Sequence, residues 1–297
     1  MRKSESPLLV QMGARLISCA LMMGSLTACS GGLLDPKGPI GDAQRSILLN
    51  SFFIMLIVVV PVITLTLVFA WWFRASNLRA KYSPEWVYSG RIEFIVWAVP
   101  VLIVMFLGGI TWVGSHKLDP WVPIESDKLA LEVQVISLDW KWLFIYPDEN
   151  VASVNELVVP AARPVHFSLT SATVMNSFFV PQLGSQIYTM AGMETQLYLQ
   201  AYEPGEFDGF SAQFSGKGFP DMHFKVRAVN EKEYVAWVQS VRNSKARLDK
   251  KEYIDLYEPS VEARLRFYGS VEPGLFHSVM TQPHTLAKPE TTSSSAN

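Results

Sequence analysis

The chain has 297 residues, a formal net charge of −2, 49% hydrophobic residues and 18% charged ones. That is too apolar and too sparsely charged for a disordered protein, and without a basic excess it offers no electrostatic footprint for nucleic acid. The two cysteines, Cys19 and Cys29, both lie near the N-terminus. Everything after Ser30 is thiol-free, which excludes a disulfide framework, a thiolate nucleophile, a zinc–cysteine cluster and a copper–thiolate centre from the body of the protein.

Residues 1–28 read as a lipoprotein signal peptide. Arg2, Lys3 and Arg15 form a basic region, and Leu16 to Met23 an apolar core too short to cross a bilayer. Leu26-Thr27-Ala28-Cys29 has the pattern of a lipobox, in which small residues flank a cysteine whose thiol takes a lipid, so Cys29 is the expected lipidation site. Residues 29–45 form a short outer segment. Ser46 to Phe73 and Phe94 to Ser115 then carry no charged side chain, and each is long enough to span the ~30 Å hydrocarbon core as a transmembrane helix. Pro61 and Pro100 inside these runs require a neighbouring helix or a local distortion to absorb the missing N–H. Trp71, Trp72 and Phe73 form an aromatic belt at one interface. The intervening loop, 74–93, carries Arg74, Arg79, Lys81 and Arg91 against Glu85 and Glu93, while Ser30 to Arg45 carries only Lys37 and Arg45 as basic residues. The positive-inside bias puts the loop in the cytoplasm and both outer ends outside.

Strand signals occupy 116–230. Leu131 to Ile136 alternates, Trp140 to Tyr146 is an aromatic-rich run ended by Pro147, and further short apolar stretches follow at Asn155–Val159, Val165–Thr170, Gln196–Ala201 and His223–Val229. Pro160, Pro164, Pro204-Gly205 and Asp208-Gly209 punctuate them. This spacing predicts an antiparallel β-sandwich. In 231–280, Tyr234, Val235, Trp237, Val238 and Val241 recur at helical spacing, followed by a charged, solvated stretch from Lys245 to Lys251 and an aromatic-bearing segment, Tyr253 to Phe267. The tail, 281–297, is polar, of low complexity and expected to be disordered.

Several ordered motifs carry a resemblance: Leu34-Asp35-Pro36-Lys37-Gly38, Ala80-Lys81-Tyr82-Ser83-Pro84, Asp139-Trp140-Lys141-Trp142, Met175 to Pro181, Gly184 to Tyr188, and Met190-Ala191-Gly192-Met193. Together with a two-helix hairpin followed by a sandwich, they resemble subunit II of the haem-copper oxidases, and specifically its copper-free branch in the bo-type ubiquinol oxidases. The resemblance implies a membrane-anchored α+β fold, two transmembrane helices followed by a cupredoxin-like Greek-key sandwich and a short C-terminal helical region. It implies quinol oxidation, reduction of dioxygen to water and proton pumping in a bacterial inner-membrane complex. The haems and copper belong in subunit I, no cofactor belongs in this chain, subunits III and IV are further expected partners, and cytochrome c is not one.

In cytochrome c oxidases this sandwich holds a binuclear copper centre. Laying that ligand pattern on the sequence places Asn176 at the first histidine, Ser211 and Ser215 at the two cysteines, Gln213 at the glutamate and Phe219 at the second histidine, with Met222 alone retained. Hydroxyls and an amide do not replace bridging thiolates, so a metal centre is not expected. The resemblance also sets Glu93 at the entrance of a proton channel, where a carboxylate at the membrane edge can collect protons. Trp140 aligns with an electron-receiving tryptophan but, without copper behind it, has a core or interface role. His166 and His223 lack a third ligand and read as structural, and Met175, Met190, Met193 and Met222 read as packing against a partner surface. The alternative to an oxidase subunit is a stand-alone inner-membrane lipoprotein with a cupredoxin-like binding domain. Pro61, Pro100 and Glu93 in the hairpin favour a helix partner over a simple anchor.

Overall fold

The computed structural model describes residues 32–81 and 83–281. The signal peptide, Cys29 and the tail from residue 282 therefore lie outside the described residues. After a single 3-10 turn at Gly32–Leu34, helix α1 runs Pro39–Trp72 and helix α2 Gly90–Lys117. Both begin before the uncharged runs do. Gly38 is extended at φ −151° and Pro39 follows at the first helical position, where its lost N–H costs nothing. The helix therefore starts in polar sequence, with Asp42 in its first turn, and a boundary drawn at the last charge cannot see it. Pro61 and Pro100 sit inside unbroken helices. The side chains of both are exposed over most of their length, as Phe53, Ile57, Leu67, Ile95 and Leu102 illustrate; only lipid or another subunit can cover them.

The sandwich follows. One sheet has strands β1 (Leu131–Leu138), β2 (Lys141–Tyr146), β3 (Val151–Val154), β5 (Val165–Ser171), β8 (Thr195–Leu199) and β12 (Arg266–Tyr268), in the order β12-β3-β2-β1-β5-β8. The other has β4 (Glu156–Pro160), β6 (Asn176–Phe179), β7 (Ile187–Thr189), β9 (Gly205–Ser211) and β10 (His223–Val229), in the order β4-β10-β9-β6-β7. The two-sheet plan is the expected one, with a difference in strand direction. β1 pairs with β5 in parallel, and so does β4 with β10, so both sheets are mixed rather than wholly antiparallel. Asn155 is the reason for the second pair. It adopts φ +59°, a left-handed conformation that asparagine tolerates, and it turns the chain out of β3 into β4 on the opposite sheet. Its amide fixes the turn by accepting from Trp142 N at 2.8 Å and donating to the Ala263 carbonyl at 3.0 Å. Residue alternation sets which face a strand buries, and leaves its neighbour's direction open.

Between the sheets Val133, Val135, Trp142, Phe144, Phe167, Phe178, Leu197, Phe224 and Val226 are fully buried. Phe178 and Phe224 stack at 5.1 Å with Trp142 and Phe144 packed around them. Helix α3 (Glu231–Arg242), with a complete Asn230–Glu233 capping box, adds Tyr234, Val238 and Val241 to this core. The region after it is not purely helical. Helices α4 (Lys250–Tyr257) and α5 (Leu275–Thr281) alternate with β11 (Arg247–Leu248), β12 and β13 (Ser270–Val271), and β12 extends the first sheet by pairing with β3. A second core of Ile136, Leu143, Ile145, Tyr253, Leu256, Tyr268 and Phe276 forms on that sheet's outer face.

The chain before α1 is stitched to the sandwich. Lys37 N donates to the Gln182 carbonyl at 2.7 Å, Gly41 N to Leu183 at 3.0 Å, and Tyr202 N to the Lys37 carbonyl at 2.8 Å. A Cβ at Gly38 would overlap the Gln200 carbonyl oxygen, and one at Gly184 would press on Leu199 and Ile40. The Leu34-to-Gly38 motif is thus the seat that joins helix and sandwich.

Candidate functional site

The residues aligned with copper ligands gather at one end of the second sheet. Asn176 opens β6 and Ser211 closes β9. A loop then carries Gln213 and Ser215 to a 3-10 turn at Phe219–Asp221 and on to Met222, before β10 starts. β6 and β9 are paired neighbours, which is why residues so far apart in sequence meet here. Ser211 Oγ has two acceptors in reach, Asn176 Oδ1 and the Gln213 carbonyl, both at 3.2 Å, and it accepts from Ser177 N at 3.4 Å. The Asn176 amide nitrogen donates to the Val174 carbonyl at 3.2 Å. Ser215 Oγ lies 4.0 Å from Met222 Sδ. Met222 is buried, its backbone carbonyl accepting from Ser211 N at 3.1 Å. Phe219 turns its ring toward Phe214, edge to face at 5.5 Å.

Asn176, Ser211 and Gln213 are therefore directly joined, Ser215 and Met222 stand beside them, and Phe219 faces outward to an exposed phenylalanine. The donor set consists of hydroxyls, amides and one thioether. Neutral hydroxyls and amides with a single thioether do not fit a mixed-valence copper pair, which requires soft, electron-rich thiolates. Among the described residues, no group of three or more His, Cys, Asp or Glu stands close enough to hold a metal ion.

Trp140 roofs this loop. Its indole N–H donates to the Ser215 carbonyl at 3.1 Å, and a Cβ at Gly218 would overlap the ring. Trp140 holds φ +61°, a strained conformation for a bulky residue maintained by the close seat over Gly216 and Gly218. The next residue, Lys141, is buried in β2 and donates to the Glu258 carbonyl at 2.7 Å and Ser260 Oγ at 2.6 Å. Burial, and then the nearby Arg266 charge, push its ammonium below the usual lysine value. Sequence reading missed this residue. The signal was a lone lysine between two tryptophans, where a strand buried on both faces leaves it nowhere to point but into the protein.

The two histidines stand on different sheets. His166 Nδ1 lies 2.6 Å from Glu132 Oε2 and its ring stacks on Tyr198 at 4.5 Å, while His223 Nε2 meets the Pro220 carbonyl at 2.6 Å. His223 is exposed beside its turn, whereas His166 is half satisfied: its Nδ1 has Glu132, but its buried Nε2 has no hydrogen-bond partner among the described residues. The methionines divide: Met175 and Met193 are exposed, whereas Met222 is core rather than partner-facing, because the 3-10 turn folds it beneath the loop. Glu93 lies in the first turn of α2, exposed, and makes no ion pair among the described residues.

Residues 148–229 match the sequence family described as cytochrome c oxidase subunit II, periplasmic domain, and residues 242–282 the COX aromatic-rich motif. The periplasmic domain of subunit II of cytochrome oxidase from Bradyrhizobium japonicum superposes with a TM-score of 0.37 at 26% identity, covering 40% of this chain and 96% of that one. The class, which long relatives show, is that of a haem-copper oxidase subunit II. Over 263 residues the sequence is 48% identical to the cytochrome bo(3) ubiquinol oxidase subunit 2 of Pseudomonas aeruginosa, covering 89% of this chain and 78% of that protein. It is 47% identical to the ubiquinol oxidase subunit 2 of Acetobacter aceti, over 90% of this chain and 86% of the relative, and 38% identical to a quinol oxidase subunit 2 of Bacillus cereus, over 84% and 88%. The chain belongs to the ubiquinol oxidase subunit 2 family, a component of an oxidoreductase complex of respiratory electron transport.

Proposed function

We propose that this chain is the copper-free, non-catalytic subunit of a proton-pumping oxidase that takes electrons from ubiquinol and reduces dioxygen to water. The observation that carries the reading is the Ser211 hydroxyl, whose reach takes in the Asn176 amide oxygen and the Gln213 backbone carbonyl, at a position where a binuclear copper site would need a soft thiolate. A lipid-soluble quinol can deliver its electrons within the membrane to the haem of subunit I, so no relay through the outer domain is required. The haems and copper of the reaction reside in that partner, and this chain contributes docking and assembly through its two helices and its sandwich. Subunits III and IV complete the complex. Cys29 carries the lipid that tethers the outer N-terminus, and Glu93 feeds protons from the cytoplasmic edge into subunit I.

The isolated complex tests the electron route. Oxygen uptake driven by a short-chain ubiquinol but not by reduced cytochrome c is expected; efficient oxidation of cytochrome c contradicts it. For the proton role, Glu93→Gln in the intact complex slows proton uptake and oxygen consumption severalfold while leaving haem content unchanged. Wild-type rates in liposomes, with undiminished voltage generation, remove Glu93 from the pathway.

A further inference from the structure

The two membrane helices do not pack along their length. A Cβ added at Gly114 would come within 2.8 Å of Ile47 Cδ1, so the helices touch closely at the sandwich-side end of α2. Gly108 and Gly109 face open space. Around this contact lies a cavity of about 650 Å³, lined from α1 by Ala43, Ser46 and Ile47 and from α2 chiefly by Met105, Gly109 and Val113, with Lys117 at its rim. Along α2 the lining extends from Met105 to Lys117, about 18 Å at ~1.5 Å per residue. One leaflet of hydrocarbon is half of a ~30 Å core, or about 15 Å. The cavity is thus an apolar slot one leaflet deep, with a cation at the depth of the headgroups.

We propose that this slot binds an anionic phospholipid of the sandwich-side leaflet, with an acyl chain against Gly109 and the phosphate paired with Lys117. Charge and depth choose this occupant. Lys117 is exposed at the end of α2 and has no carboxylate partner among the described residues, so at the interface it is free to pair with a lipid phosphate. A spanning helix would run past the level of Met105, where the slot ends. The inference is independent of the copper-free reading of the sandwich.

The test uses the whole oxidase in nanodiscs containing phosphatidylglycerol with a photoreactive diazirine on one acyl chain. After illumination, the labelled peptides of this chain are mapped by mass spectrometry. Labelling concentrated on Gly109 to Val113, several times that at the outward-facing Trp97 and Leu102, is expected. Gly109→Leu fills the slot and Lys117→Glu reverses its charge; each lowers that labelling severalfold while oxygen uptake and haem content show that the complex remains assembled. Even labelling along α2 reduces the slot to ordinary annular lipid and overturns the proposal. So does an unlabelled slot in wild type, whether a partner helix or the chain's own lipid fills it. Cys29→Ser separates those two, since labelling that appears only in this variant identifies the acyl chain of Cys29 as the native occupant.

Discussion

Ser211 illustrates what a single side chain decides. A serine and a cysteine differ by one atom, yet the hydroxyl enters a network of neutral hydrogen bonds where a thiolate would bind soft metal. Trp140 is a second case, because its positive φ and its seat on Gly218 depend on each other. Gly218→Ala forces the indole off the loop and is expected to destabilise the sandwich by about 1–3 kcal/mol, the usual range for overpacking a buried site. A lowered thermal midpoint of the purified complex checks this, and an unchanged midpoint would show that the ring moves freely. That no thiol stands after Ser30 was legible from the cysteine count alone. Lys141 was not, since its role depends on the carbonyl of Glu258, brought over β2 only by the tertiary fold.

Among the elements, the membrane helices were legible because a long uncharged run admits one interpretation, whereas their true starts were not. Helix α1 begins at Pro39, where the segment leading into it is hydrogen-bonded to loops far away in sequence, the turn between β6 and β7 and the loop after β8. The parallel pairs β1–β5 and β4–β10 escaped for a related reason: alternation reports the buried face of each strand but not its partner, which for β4 follows from the Asn155 crossover. The stitch at residues 37–41 has a direct consequence. Gly38 has an ordinary extended conformation, so Gly38→Ala acts through space alone, pushing α1 off the Gln200 carbonyl. Faster proteolytic cleavage between residues 32 and 41 in the assembled complex is expected. Cleavage at the wild-type rate would mean that the segment closes around the added methyl.

At the scale of the whole molecule, the chain pairs a well-packed sandwich with helices that bury almost nothing of their own. The sandwich holds its shape through internal cores, and its tyrosines report how dry these are: burial raises Tyr146, Tyr234, Tyr253 and Tyr268 well above the ordinary phenol value. The helices instead present apolar surface for lipid or another subunit to cover. This division is the one the proposed docking role calls for. The most direct measurement is the near-infrared absorption of the oxidised complex, recorded with its copper and haem content. Haem bands from the partner and no near-infrared band of a binuclear copper–thiolate centre are expected. Such a band, removed by a chelator that strips this subunit, would contradict the copper-free reading.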